Sequence, residues 1–187
     1  MVDANGARDW GRVAKRIRVP LSFAFTIVYF WLAHPAWSAI AIGAGIAAAG
    51  LALRAYASGY VKKAAELTTT GPYAYTRNPL YLGSMLIAAG FAVAARSWWI
   101  AGGMAVIFLA IYIPVIRFEE KLLRGLFPDF DAYAARVPRL IPRLTAEKSD
   151  SGGAFSGALY RKHREYQAAI GVVVMLAALA AKLVWFR

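Results

Sequence analysis

The sequence predicts an all-α fold, an integral membrane helical bundle of about five transmembrane helices with a cytoplasmic N-terminus. Hydrophobic residues make up 60% of the 187 residues, which is more than one soluble core of this size requires. Apolar runs close to the roughly 20 residues that span a bilayer recur along the chain. Since no polar linker separates these runs into two sets, we expect a single membrane domain over residues 1–187.

The apolar runs define the predicted transmembrane helices. They cover residues 19–33, 36–53, 80–95, 97–116 and 168–186. The connections within the first pair of runs and within the second pair are very short, so each pair should form an antiparallel hairpin. Residues 145–157, rich in Ser, Gly and Ala, are expected to form a flexible tether before the C-terminal transmembrane helix.

Positive charge sets the predicted orientation. Of the 22 Lys and Arg residues, 19 fall on one side of an alternating five-helix path, namely five before the first helix, four in 54–79 and ten in 117–166. By the positive-inside rule this side is the cytoplasm. Five tryptophans lie at the opposite ends, where indole rings favour the interface: Trp31, Trp37, Trp98, Trp99 and Trp185. We therefore expect a multi-pass protein of the cell membrane whose active site faces the cytoplasm.

The N-terminal segment carries five basic residues ahead of an apolar run, as a secretory leader does. Where a cleavage site would fall, the chain has Trp31, Leu32, His34 and Pro35 in place of the small residues that cleavage requires. We therefore expect this segment to remain in the mature protein.

Composition also narrows the partners and sites. The net charge is +12, but the basic residues flank or interrupt apolar runs, which favours membrane lipids over nucleic acid as the partner. Cysteine is absent, and His34 and His163 are the only imidazoles, so we expect no metal centre. The oligomeric state is not determined by the sequence.

Glycines inside the hydrophobic runs are interpreted as packing residues. Gly43, Gly45 and Gly50 imitate part of a nucleotide-binding loop, but such a loop follows a strand, whereas these glycines lie within an apolar helix. Small residues allow helices in membranes to approach closely. The same interpretation applies to Gly102 and Gly103.

Segment 71–83, GPYAYTRNPLYLG, is the first candidate site. Its initial Gly-Pro pair predicts a turn, and Asn78-Pro79 has the residue types favoured at the N-cap and first position of a helix. The free amides of a helix start attract a carboxylate or phosphate, and Arg77 adds a full charge. An ordinary interfacial helix start with an aromatic belt would explain the same composition.

Segment 117–142, RFEEKLLRGLFPDFDAYAARVPRLIP, is the second candidate. Glu119 and Glu120 lie where the fourth predicted helix leaves the membrane, so at least one must point sideways or into the bundle. Carboxylates at that depth are costly enough to indicate function. The alternative is a surface turn whose charge is balanced by Arg117, Lys121 and Arg124. A short helix after Pro128 would place Tyr133 and Arg136 on one face.

Together, the two segments resemble the isoprenylcysteine carboxyl methyltransferase family, which groups with phospholipid N-methyltransferases. The resemblance covers residues 54–142, the methyltransferase-like core, and requires both motifs in this order. The family pattern usually has Arg-His-Pro where this chain has Arg77-Asn78-Pro79, so an imidazole is missing there. The resemblance implies a membrane-embedded enzyme that binds S-adenosylmethionine and acts on a lipophilic substrate from the bilayer.

The resemblance also implies roles for individual residues. The residues expected at the cofactor are Tyr73, Arg77, Asn78, Pro79, Tyr81, Gly83, Glu119 and Glu120. The start of the third helix would hold the cofactor's carboxylate, Gly83 would permit its close approach, and either glutamate would meet its amino group or ribose. Arg136, with Tyr133 beside it, would orient an anionic substrate group, and these two are the catalytic candidates.

Two functions of other classes are also compatible with the sequence. One is a membrane enzyme like the sterol reductases, which use NADPH, and the other is a non-enzymatic lipid-binding membrane scaffold. Within the transferase hypothesis, a prenylated cysteine, a phospholipid headgroup and another small hydrophobic acid or amine would all suit the site. Thermal stabilisation by S-adenosylhomocysteine and not by NADPH would favour the transferase.

Overall fold

The structure of the protein is a computed structural model that describes residues 26–62, 65–148 and 153–185. In chain order its helices are α1 (26–32), α2 (Trp37–Ser58), α3 (Pro79–Ala95), α4 (Trp98–Ile107), α5 (Ile113–Leu126), α6 (Phe130–Arg136), α7 (Gly157–His163) and α8 (Tyr166–Trp185). The described residues contain no strand, which confirms the predicted all-α fold. The basic N-terminal segment and the first part of the predicted helix 19–33 lie outside the described residues.

Three helices of the described part are long and apolar enough to cross a membrane. They are α2, the continuous helix Trp98–Leu126 and α8, while α3 is a shorter apolar helix of 17 residues. This is compatible with the predicted membrane bundle. The total of five transmembrane helices and the cytoplasmic N-terminus stay predictions.

The helix Trp98–Leu126 continues well beyond residue 116, where the sequence predicted the fourth transmembrane helix to end. A π-helical turn, Phe108–Tyr112, joins α4 to α5 without a break. In α5, Ile116 and Glu120 are buried four residues apart on one face, while Arg117, Lys121 and Arg124 are exposed. The helix is amphipathic past the apolar run, so its inner face still has side chains to pack against the protein.

Paired glycines bring α2 and α3 into backbone contact. A Cβ on Gly90 would lie 2.5 Å from the carbonyl oxygen of Gly43, and a Cβ on Gly50 would lie 2.6 Å from that of Gly83. The packing interpretation therefore holds for Gly43 and Gly50. A Cβ on Gly45 would meet nothing within 4 Å of the described residues, and the same is true of Gly102 and Gly103.

The two ends of the bundle differ in chemistry. At one end the buried core is apolar and consists of Tyr29, Ala33, Ile40, Ala94, Ala95, Ile100 and Leu179. There the Lys182 ammonium donates to the Ala33 carbonyl at 2.7 Å and caps α1. At the other end, the C-terminus of α2 meets the start of α3 and the residue before α8. The alternating helix directions therefore collect most of the described charged side chains at one end.

The predicted tether 145–157 is anchored on both sides of residues 149–152, which are not described. The amide of Glu147 donates to the Ala74 carbonyl at 3.0 Å, and that of Ser156 donates to the Gly59 carbonyl at 2.9 Å. Phe155 stacks on Tyr56 with ring centroids 6.1 Å apart. The described flanks are therefore held against α2 and the turn before α3.

Candidate functional site

The two sequence motifs lie side by side. The amide of Arg77 donates to the Pro138 carbonyl at 2.9 Å, and that of Arg143 donates to the Tyr75 carbonyl at 2.9 Å. The hydroxyl of Thr76 donates to the carbonyls of Arg139 and Leu140, both at 3.2 Å. These hydrogen bonds attach the loop after α6 to the turn before α3.

A cavity of about 430 Å³ lies where the motifs meet, which is within the usual range for a small-molecule site. Eight of the ten predicted site residues line it: Tyr73, Arg77, Asn78, Pro79, Tyr81, Glu119, Glu120 and Tyr133. Leucines of α5 form an apolar part of the wall: Leu122, Leu123 and Leu126. The cavity therefore combines a charged end with a surface suited to a hydrocarbon chain.

Glu120 is a buried carboxylate shared by two guanidinium groups. It is 5% exposed, and it lies 3.5 Å from Nη2 of Arg77 and 2.7 Å from Nη2 of Arg139. The hydrogen bond to Glu120 raises the pKa of Arg139. The basic neighbours in sequence are not its partners, and Arg124 instead pairs with Asp131 at 2.6 Å. Glu120 therefore joins α5 to both motif segments.

Glu119 is placed differently from its neighbour. It lines the cavity and is exposed, beside the phenol of Tyr81. Within the described residues no Lys, Arg or His nitrogen pairs with it, whereas the cavity carboxylates Glu66, Glu120 and Glu165 each have a cationic partner. Of the two adjacent glutamates, Glu119 is thus the one available to a cationic ligand group.

Two buried polar atoms of the cavity wall lack a hydrogen-bond partner among the described residues. They are Oγ1 of Thr68 and Nε of Arg77. The Arg77 side chain is only 12% exposed. A buried donor without a partner costs about 1–3 kcal/mol, so a ligand with an acceptor at this point would be favoured. Thr68 was not predicted, because a lone threonine in an irregular segment carries no distinctive pattern.

Tyr73 and Tyr133 are buried phenols that connect the motifs. They are 8% and 5% exposed, and the Tyr133 hydroxyl donates to the Tyr73 carbonyl at 2.7 Å. Burial raises the pKa of both phenols above the ordinary value. Both therefore stay neutral around pH 7, and the Tyr133 proton is already used within the protein.

Asn78 stands at the N-cap position of α3, as predicted, but its side chain bonds elsewhere. Pro79 does begin α3 as expected, but the Asn78 side chain makes no capping hydrogen bond. Its Nδ2 donates instead to the Arg139 carbonyl at 2.9 Å. The residue is 9% exposed. A buried amide needs a hydrogen-bond partner within the protein, and the carbonyl of the adjoining loop supplies it.

Gly83 and Arg136 lie away from the cavity wall. Gly83 faces α2, where a Cβ would lie 2.6 Å from Cγ of Arg54, so it makes room for a side chain of the protein itself. Arg136 is 58% exposed and its Nε pairs with Glu147 at 3.0 Å. Although Tyr133 and Arg136 belong to the same short helix, one is buried and the other points to the surface.

Arg54 and Glu165 are charged cavity residues that the sequence did not single out as site residues. Nε and Nη2 of Arg54 each lie 3.0 Å from an oxygen of Glu165. Two features of the sequence could have indicated them. Arg54 directly follows an apolar run, and Glu165 is the one acidic residue of a basic segment. Within the described residues, no three His, Asp or Glu side chains are grouped to hold a metal ion.

Comparison with known proteins gives one family and two relatives. The model of a family described as phospholipid methyltransferase matches residues 36–129. The nickel-cobalt-cadmium resistance protein NccN of Alcaligenes xylosoxydans xylosoxydans is 42% identical over 96 residues, which are 51% of this chain and 44% of that protein. The cobalt-zinc-cadmium resistance protein CzcN of Cupriavidus metallidurans is 36% identical with the same coverage. The chain thus matches less than half the length of these relatives. No solved structure matches it.

Proposed function

The chain belongs to the phospholipid methyltransferase family, and from this premise we propose that it transfers a methyl group from S-adenosylmethionine to a lipophilic acceptor at the cytoplasmic face of the membrane. The orientation is proposed from the distribution of Lys and Arg, since the cavity lies at the predicted inner ends of the helices. The acceptor is a lipid headgroup or a lipophilic carboxylate.

The observation that carries the proposal is the pair of unsatisfied buried atoms, Nε of Arg77 and Oγ1 of Thr68. Both lie in the wall of the same 430 Å³ cavity, together with the exposed carboxylate of Glu119. The methionine part of the cofactor carries one carboxylate and one ammonium group. Arg77 suits the first and Glu119 suits the second, so the residues present fit the cofactor. The Thr68 hydroxyl can bond a further polar atom.

When bound, the cofactor supplies an electrophilic methyl group on a sulfonium sulfur. The protein's task is then to align the acceptor and to exclude water. The apolar wall formed by Leu122, Leu123 and Leu126 excludes water and would hold the acyl or prenyl chain of the acceptor. A carboxylate acceptor needs no general base. The phenols of Tyr73 and Tyr133 are neutral and far less acidic than a carboxylic acid, so they do not protonate such an acceptor.

Binding of S-adenosylhomocysteine to the purified protein in lipid nanodiscs tests the proposal, and calorimetry would measure it. Thr68→Val removes a hydroxyl with little change of shape, and Arg77→Met removes the charged donor. We expect the affinity to fall a few-fold for Thr68→Val and roughly 10- to 100-fold for Arg77→Met, because hydrogen bonds to charged groups are worth about 1.5–3 kcal/mol.

Arg161→Gln is the matched control, since it removes an exposed arginine that does not line the cavity. Its affinity should equal that of the wild type. Binding of NADPH in place of S-adenosylhomocysteine would support the reductase alternative, and binding of neither would support a scaffold. Transfer of labelled methyl groups into a total lipid extract would then identify the acceptor.

A contribution to resistance against divalent metal ions is a second candidate function, favoured by the names of the two relatives. Expression in a metal-sensitive bacterium should raise the nickel, cobalt or cadmium concentration that stops growth. The Arg77→Met variant should lose this effect if resistance depends on methyl transfer. Equal protection by the variant and the wild type would show that resistance does not depend on the cavity. No protection by either protein would refute this candidate function.

A further inference from the structure

Arg54 and Glu165 form a bidentate ion pair in the wall of the cavity. Nε of Arg54 lies 3.0 Å from Oε2 of Glu165, and Nη2 lies 3.0 Å from Oε1. The two side chains are 23% and 11% exposed. Charge-assisted pairs of this geometry are among the stronger polar contacts, and they fix the orientation of the guanidinium group.

The same guanidinium group holds the start of α3. Its Nη1 donates to Oγ of Ser84 at 2.6 Å and to the Leu80 carbonyl at 3.3 Å. The absence of a side chain at Gly83 leaves room for Arg54 to reach them. Arg54 therefore ties α2 to the first turns of α3, directly after the cavity residues 77–79.

Glu165 comes from a part of the chain beyond the family match. It stands 111 residues after Arg54, immediately before α8, whereas Arg54 and Ser84 both lie inside residues 36–129. The region that matches the family therefore contains Arg54 but not its partner Glu165. Completion of this wall of the cavity depends on the segment that precedes α8.

We propose that Glu165 is a positioning residue, which orients Arg54 and through it holds the start of α3 in place for ligand binding. This inference rests on the proposed function, because the ligand concerned is S-adenosylmethionine. An Arg54 without its partner would be a poorly neutralised cation near the membrane, where such charges are costly. It would then be drawn towards the unpaired Glu119 in the same cavity, which would remove the carboxylate that the cofactor's ammonium group requires.

Hydrogen exchange of the full chain in nanodiscs tests the proposal, together with calorimetry of S-adenosylhomocysteine. In Glu165→Gln we expect faster exchange in peptides covering residues 79–84 and an affinity about tenfold lower, as for coupled neighbouring residues. The conservative Glu165→Asp should recover part of both. Asp131→Asn, which breaks the exposed pair with Arg124, should change neither.

Unchanged exchange at residues 79–84 in Glu165→Gln would overturn the proposal. Faster exchange spread equally over α4 and α8 would also overturn it, since Glu165 would then stabilise the fold in general. The exchange measurement needs no ligand. If the wild type does not bind S-adenosylhomocysteine, the proposed function fails, and exchange at residues 79–84 alone decides whether Glu165 positions α3.

Discussion

Replacing Gly43 by leucine should separate α2 from α3 and strongly destabilise the folded state. A Cβ on Gly43 would collide with the Gly90 carbonyl, and it would lie 2.8 Å from the Cβ of Ala94. Overpacking in a core costs about 1–3 kcal/mol when side chains can yield. Here the obstacle is backbone, so we expect a loss of more than about 3 kcal/mol. Thermal unfolding in detergent and the elution volume in size-exclusion chromatography would measure it.

Gly45→Leu is the control for this prediction, because it lies in the same helix and a Cβ there would meet nothing within 4 Å of the described residues. It adds the same apolar side chain to the same helix without the contact to α3. Gly43→Ala should fall between the two. If Gly43→Leu unfolds at the same temperature as Gly45→Leu, the close contact of α2 with α3 is wrong.

Glu120→Ala should destabilise the protein and also weaken ligand binding. It would leave Arg77 without its carboxylate partner, and that side chain is 12% exposed. Removal of one partner of a buried ion pair costs about 3–5 kcal/mol, and we expect about 3 because Arg139 is itself 41% exposed. The unfolding temperature should therefore fall, and the affinity for S-adenosylhomocysteine should fall with it because Arg77 loses the carboxylate that orients its side chain.

The neighbouring variant Glu119→Ala separates these two effects. Glu119 is exposed and has no ion pair with the described residues, so its stability should lie within about 0.5 kcal/mol of the wild type. Its ligand affinity should nevertheless fall, because it would lose the partner of the cofactor's ammonium group. Equal stability of Glu119→Ala and Glu120→Ala would contradict the different placement of the two carboxylates.

The sequence located the candidate site but did not determine the role of each residue in it. Segments 71–83 and 117–142 were expected to act together, and eight of their ten chosen residues line one cavity. The two exceptions have physical reasons. Gly83 lies in the close contact between α3 and α2. Arg136 points outward and pairs with Glu147. The three-residue spacing of Tyr133 and Arg136 places the two side chains near one another, but it does not decide which of them is buried.

What the sequence by itself determined is the all-α class, the membrane character and the pairing of the two motifs, since apolar runs of membrane length and local motifs need no knowledge of distant contacts. Only the tertiary structure decided which charges meet. In the surface-turn alternative the sequence neighbours of Glu120 would balance its charge, but its partners are Arg77 and Arg139, and Arg54 meets Glu165 across 111 residues. Buried charges must find partners wherever the packing of helices brings them, and local spacing does not contain that information.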